Sequence, residues 1–397
     1  MFRKITPKIS YLISRTITTA TALVFAFIYS KALGLNNRSL VAFIMTSNAL
    51  IWLLVTSGTT LTLRKLTLKS LDMKKNKSFN SLLITEFVAA IVIFLVTIEL
   101  YSLLKNYLTP NFIIGSMIYF LLSGAHLITV EMLLASNNIR LSGILDASTI
   151  FLQVFFFILL NLLFELSISV RLLISFSLSY LIISIIGLIK ITKSSDFSFG
   201  FANPQVFFAE TRGNHLIGVS LGIVDRMDRF LIGVILPTAE LAKYAVMSGS
   251  ISIFRFFPDA ISKLVIARTH FTLHAKLKNW LTVVMLSVLF GSVLVASSQF
   301  FIKLWLGYEW LLPMSVSLCF VLQELLRGIF QISANRYISH GRSHFVSRVS
   351  LQLPFLSITL ALLLISFIGI IGVPISFSIA FIFSLLSFRL KERDDKS

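Results

Sequence analysis

The sequence predicts an all-α polytopic membrane protein, with twelve transmembrane helices in two six-helix bundles related by a parallel internal repeat. Three observations carry that prediction. Of the 397 residues, 56% are hydrophobic and only 13% are charged, about half the charged share of an ordinary soluble domain. Apolar runs such as Leu82–Leu104 and Leu351–Ile371 reach the ~20 residues that a helix needs to cross hydrocarbon. The lysines and arginines between the runs alternate between dense and sparse.

The runs place spans at 9–33, 40–62, 81–104, 112–135, 144–164, 170–190, 215–236, 244–266, 280–302, 311–332, 350–371 and 373–389. The first is longer than a signal-peptide core and lacks a small-residue cleavage site, so it reads as a retained span. With the N-terminus cytoplasmic, 25 lysines and arginines fall on the inner side and 6 on the outer side. That bias is the positive-inside signature, and it puts both termini in the cytoplasm. Most of the +18 net charge then sits in inner loops, next to anionic membrane lipid. No basic, aromatic-interleaved soluble segment is present to bind nucleic acid.

The two halves resemble each other. "ISFSLSYLIISIIGLIK" at 174–190 aligns with "ISFSIAFIFSLLSFRLK" at 375–391, an offset of 201. At the same offset "LGLNNRSLVAF" (33–43) lies over "VILPTAELAKY" (234–244), and at an offset of 198 "SNNIRLSG" (136–143) lies over "ANRYISHG" (334–341). Six spans per half give both halves one topology, with a pseudo-two-fold axis along the membrane normal. The expected domains are residues 1–190, a cytoplasmic linker at 191–214 containing Pro204, and residues 215–397.

Function classes narrow quickly. Cys319 is the one cysteine, so no intramolecular disulfide forms, and no Cys/His cluster has metal-ligand spacing. No phosphate-binding glycine loop, nucleophile elbow or zinc-protease motif is present. The short loops leave no aqueous domain for an active site. The chain reads as a non-enzyme, with no cofactor and no metal.

The chemistry concentrates in "GVSLGIVDRMDRFLIGVIL" (218–236), an apolar span that carries Asp225, Arg226, Asp228 and Arg229. A charge at the bilayer centre costs roughly 2.5–3.5 kcal/mol on insertion scales, so four need a reason. At about 100° per residue all four fall within half of the helix circumference, beside Gly218, Gly222 and Gly233. Asp225 and Arg229 are four apart and suited to pairing along the helix. Two more spans repeat the pattern: Arg255 with Asp259 in "SGSISIFRFFPDA", and Glu324 with Arg327 in "FVLQELLRGIFQ". The eight charges are four acids and four arginines, all in the second half; the first half places His126 opposite Glu324. Such pairs serve as struts between helices. They also suit a neutralised, hydrated cavity, in which planar guanidinium forks bind phosphate.

These residues carry a resemblance. Two six-span halves look like the multidrug/oligosaccharidyl-lipid/polysaccharide flippase superfamily. "DRFLIGVILPTAELAKYAVM", with Asp228, Arg229, Tyr244 and Ala245, is similar to the polysaccharide-flippase pattern of spans seven and eight. "IGIIGVPISFSIAF" resembles the glycine-rich link into that family's last span, although Pro374 stands where small residues are commoner.

The resemblance implies a polysaccharide (O-antigen, Wzx-type) flippase in a cell inner membrane. It would move a polyprenyl-diphosphate-linked oligosaccharide from the cytoplasmic to the periplasmic leaflet by alternating access. Other polysaccharide-assembly membrane proteins are the implied partners. Arg226, Arg229, Arg255 and Arg327 would bind the substrate. Asp225, Asp228, Asp259, Glu324 and His126 would balance charge or carry a coupling proton or sodium ion. Two alternatives stay open: a drug/cation antiporter of the same superfamily, which would have a net acidic cavity, and a polysaccharide polymerase, which would have a large outer loop.

Overall fold

A computed structural model describes residues 7–68, 90–99, 109–135, 139–193, 204–251, 277–339 and 342–394. Among them there is no strand. The helices are α1 (Pro7–Leu68), α2 (Ala90–Glu99), α3 (Pro110–Ala135), α4 (Ile139–Leu163), α5 (Ile168–Lys193), α6 (Pro204–Ile235), α7 (Thr238–Ile251), α8 (Leu277–Trp305), α9 (Met314–Ser339), α10 (Ser343–Ile368) and α11 (Gly372–Asp394). Six described runs are long and apolar enough to cross a membrane. Two of them, Ala20–Thr56 and His344–Leu390, are each far longer than the ~20 residues of one crossing.

Each of these long runs is broken where glycine permits it. Gly34 interrupts α1 at φ 69°, ψ 174°, a backbone region that costs glycine nothing and other residues strain. The chain then folds back on itself. Arg38 Nε donates to Ser30 Oγ at 2.9 Å, and its guanidinium lies 4.9 Å above the Tyr29 ring. Arg38, placed by the sequence in an outer loop, is therefore a buried brace of this bend. The second break, at Gly369 (φ 63°), leads through a short 3-10 turn into α11.

The linker expected at 191–214 is partly helical: α5 runs to Lys193 and α6 starts at Pro204. Proline suits a first helical turn because its missing N–H would have had no partner there. The chain divides into two compact units, Met1–Gly218 and Val219–Ser397.

In the first unit, α3 and α4 pack on α5 and on α1. Trp52 of α1 donates from Nε1 to the Phe120 carbonyl at 3.1 Å and stacks on the Phe120 ring, which stacks on Phe94 of α2. Gly124 makes room for that indole: a Cβ there would sit 1.9 Å from a Trp52 ring carbon. In the second unit, α11 packs on α9 and α10, and α9 also meets α7 and α8. Tyr337, Phe345 and Phe388 bring the end of α9, the start of α10 and the end of α11 together.

The outward faces of both units are apolar. Phe355 is 76% exposed and Phe367 81%, and Phe151, Phe155, Leu162 and Phe300 are exposed too. Apolar faces this extensive have no counterpart on soluble monomers. With the long apolar helices, they make the chain a multi-pass membrane protein.

Candidate functional site

Helix α6 carries the charged stretch into the second unit, and its turns sort the four charges. At about 100° per residue the fully buried Ile217, Ser220, Val224, Asp228, Leu231 and Ile232 form one face. Asp225, Arg226 and Arg229 lie beside that face and are half-buried. Gly222 and Gly233 are buried on their side of the helix. Asp228 therefore belongs to the packing face of α6, apart from the other three charges.

Asp228 has both carboxylate oxygens occupied. Oδ1 accepts the Arg229 backbone N–H at 2.7 Å, and Oδ2 accepts Tyr244 Oη–H at 3.0 Å. Tyr244 is 1% exposed and is held edge-on against Phe320 of α9, ring centroids 5.5 Å apart. A buried phenol needs a partner for its O–H, and this one ties α7 to α6. Tyr244 counted in the sequence only as part of a motif. The signal that would have found its role is a tyrosine hydroxyl in an apolar stretch, sixteen residues after the span's carboxylate.

The second tie runs to α9. Arg327 pairs with Asp225 across the helices, and its Nη1 lies 3.7 Å from Glu324 Oε2 on its own helix. The Glu324 side chain is 0% exposed, that of Arg327 10% and that of Asp225 26%. The expected pairing of Glu324 with Arg327 is present. The expected pairing of Asp225 with Arg229 is not, because Arg327 takes Asp225 instead. Among the described residues the Arg229 guanidinium makes no ion pair, and its Nε is buried without a hydrogen-bond partner.

Arg255 and Asp259 lie outside the described residues. His126 belongs to the first unit, where it stacks on Tyr180 at 4.8 Å, with Tyr119 5.9 Å beyond. Its Nδ1 is buried without a hydrogen-bond partner, and Asp146 of α4 is close enough to act on it electrostatically. Among the described residues no three His, Cys, Asp or Glu side chains come together as a metal-binding group.

In summary of its chemistry, the second-unit cluster is one clamped guanidinium, one open guanidinium and three carboxylates, walled by apolar helices. A buried charge is tolerable only when it is paired and hydrogen-bonded. Asp225 and Asp228 have such partners, whereas Arg327 Nη1 and Arg229 Nε are buried without a hydrogen-bond partner.

The sequence itself matches no family model and no curated relative. The fold does have relatives among solved structures. The lipid II flippase MurJ, in an inward closed conformation, superposes with a TM-score of 0.76 at 14% identity, over 96% of this chain and 87% of that one. A eukaryotic MATE transporter gives 0.69 at 15% identity, over 96% and 94%. A transporter of the MOP superfamily from Pyrococcus furiosus, described as having a binding pocket of reverse polarity, gives 0.54 at 12% identity, over 98% and 95%. Over nearly its whole length, this chain has the fold of the MOP-superfamily flippases and transporters.

Proposed function

We propose that the protein is a flippase for polyprenyl-diphosphate-linked oligosaccharide, an O-antigen or capsule repeat unit, moved from the cytoplasmic to the periplasmic leaflet of the inner membrane. The observation that carries this reading is the open Arg229 guanidinium, beside a second arginine held between two carboxylates. A substrate with a diphosphate offers the paired oxygens that such planar forks bind best. Arg226, Arg229, Arg255 and Arg327 contact the diphosphate and any acidic sugars; Asp225, Asp259 and Glu324 hold the arginines when the site is empty, while Asp228 is engaged by Tyr244 and the Arg229 backbone N–H. His126 is a second candidate for ion coupling.

The fold supports the reading. One relative is a lipid II flippase, and others are MATE transporters described in inward-facing and outward-facing conformations. Alternating access by the two halves is the matching mechanism here.

Proteoliposomes holding a fluorescent polyprenyl-diphosphate oligosaccharide test the proposal. An external glycan-cleaving enzyme should reach the inner-leaflet label faster with protein than without, and Arg229→Ala should remove the difference. Folded wild-type protein that exposes no more label than empty liposomes would sink the flippase reading. The drug/cation antiporter reading, for which one relative described as a multidrug resistance MATE family transporter speaks, would then stand in its place.

A further inference from the structure

The first unit holds its own group of polar side chains, and their chemistry differs from that of the arginine cluster. Resting on the reading of the substrate as a glycan carrier, we infer that His126, Ser123 and Asn48, with Asp146 and Gln153, form a subsite for the hydroxyl groups of a sugar, backed by the Tyr180 ring.

The packing of α3 on α5 leaves space at this level. On α3, Tyr119, His126 and Leu133 are seven residues apart and so share a face. Tyr119 and Leu133 are buried, yet His126 between them is half-buried. On α5 the half-buried Tyr180 stands in the same way between the buried Phe176 and Ile183. These two half-buried residues are the pair whose rings stack at 4.8 Å. Beyond them the helices close tightly again, because a Cβ on Gly187 would lie 2.3 Å from Thr129 Cγ2. A recess therefore interrupts an otherwise closed helix contact.

The side chains around it are polar but nearly uncharged. Ser123 lies one turn before His126 on α3, and its Oγ accepts Asn48 Nδ2–H of α1 at 2.8 Å. Asp146 of α4 is close enough to act on His126 electrostatically, and the buried Gln153 follows two turns later on the same face of α4. Residues 39–56, 112–130, 141–163 and 172–189 of these four helices contain one formally charged residue, Asp146. An anion has no counter-charge there. Among the described residues no three His, Cys, Asp or Glu side chains form a metal-binding group. A neutral ligand rich in hydrogen-bonding groups matches this lining.

His126 supplies the observation that calls for a ligand. Its Nδ1 is buried without a hydrogen-bond partner, and a buried polar atom in that state needs an explanation. A neutral imidazole has one donor and one acceptor nitrogen, and a sugar hydroxyl is donor and acceptor at once. Tyr180 covers a face of the imidazole, which leaves the nitrogens on the ring edge for hydrogen bonds. Tyr119, 5.9 Å from Tyr180, extends the aromatic wall. Aromatic walls with a few placed polar groups are the usual lining of small-molecule sites.

The test is saturation-transfer NMR, which reads weak binding, on the full chain in dodecylphosphocholine, a detergent without a sugar head group. The probe is N,N′-diacetylchitobiose. Transfer from the protein to the sugar protons is the expected result. His126→Phe keeps a ring against Tyr180 but has no nitrogen, so it should reduce the signal to that of a protein-free sample. His126→Leu makes the same test if the phenylalanine variant does not fold. His126→Gln, which keeps a donor and an acceptor, should retain part of the signal. No transfer with folded wild-type protein overturns the sugar subsite and leaves the flippase reading to the liposome assay. Transfer in a protein that exposes no lipid label in liposomes sinks the flippase reading and leaves the subsite standing. A full signal in His126→Phe overturns the role of His126. Equal loss in folded His126→Gln and His126→Phe overturns hydrogen bonding as that role.

Discussion

Arg327 on α9 pairs with Asp225 on α6, although Asp225 has its own arginine, Arg229, one turn along the same helix. The consequence is a polar tie between two helices and a guanidinium left open. The tie should be expensive to cut from one side. Replacing Arg327 by Met removes the cation that Asp225 and Glu324 share, and breaking a buried pair from one side costs about 3–5 kcal/mol. Arg327→Met should therefore lower the thermal unfolding midpoint in detergent markedly. The Arg327→Met/Glu324→Gln double variant should recover part of the loss, because it also removes the stranded charge. A single variant as stable as wild type would show that the pair contributes nothing to folding.

The Tyr244–Asp228 bond makes a narrower prediction. Tyr244→Phe keeps the ring against Phe320 and removes only the O–H. A hydrogen bond to a charged group is worth about 1.5–3 kcal/mol, so the variant should lose that much stability. Combining it with Asp228→Asn closes a double-mutant cycle, where contacting residues couple by about 0.5–3 kcal/mol. Additive losses in that cycle would mean that the two side chains do not communicate in the membrane protein.

What the sequence made legible was set by local spacing. Six long apolar helical runs among the described residues follow from run length, and Glu324 pairs with Arg327 because three residues along a helix bring side chains within reach. "ISFS" occurs at 174–177 and 375–378, and in both places the two serines are buried and bond backward to their own helix, Ser175 and Ser177 to Leu172 and Leu173, Ser376 and Ser378 to Gly372 and Pro374. Spacing does not report which helices touch. It favoured Asp225 with Arg229, equally well spaced, and could not see that α9 brings an arginine to the same carboxylate. Nor does spacing report that Arg38 is buried: only the bend at Gly34 brings its side chain against Ser30 and Tyr29.

The first unit offers a prediction that depends on shape alone. Gly124 lies under the Trp52 indole so closely that a Cβ would come within 1.9 Å of a ring carbon. The indole cannot swing away without giving up its 3.1 Å bond to the Phe120 carbonyl and its stack on Phe120. Gly124→Ala should therefore destabilise by about 1–3 kcal/mol, the usual cost of forcing extra volume into a packed core. Gly249, where an added Cβ would meet nothing within 4 Å, supplies the control. Gly249→Ala should melt no lower than wild type, since alanine is favoured over glycine within a helix by about 1 kcal/mol. Equal melting points for the two variants would mean that Trp52 and Gly124 are not packed as described.

Arg229 separates binding from folding. Its guanidinium forms no ion pair among the described residues, so Arg229→Ala strands no carboxylate that depended on it. The helix keeps its Asp228 bond to Tyr244, because the Arg229 contribution there is a backbone N–H. Stability should thus change by less than about 1 kcal/mol, within the range of substitutions that disturb no packed or paired group. Transport should behave in the opposite way. Without the open fork, a diphosphate must draw on Arg327, and that cation must first leave two carboxylates. Arg229→Ala should lose nearly all flipping. Arg229→Lys should recover a fraction, since lysine restores the charge but not the bidentate geometry. Full recovery by lysine would show that the site reads charge alone. A drop in stability as large as that of Arg327→Met would show that Arg229 is itself a structural strut.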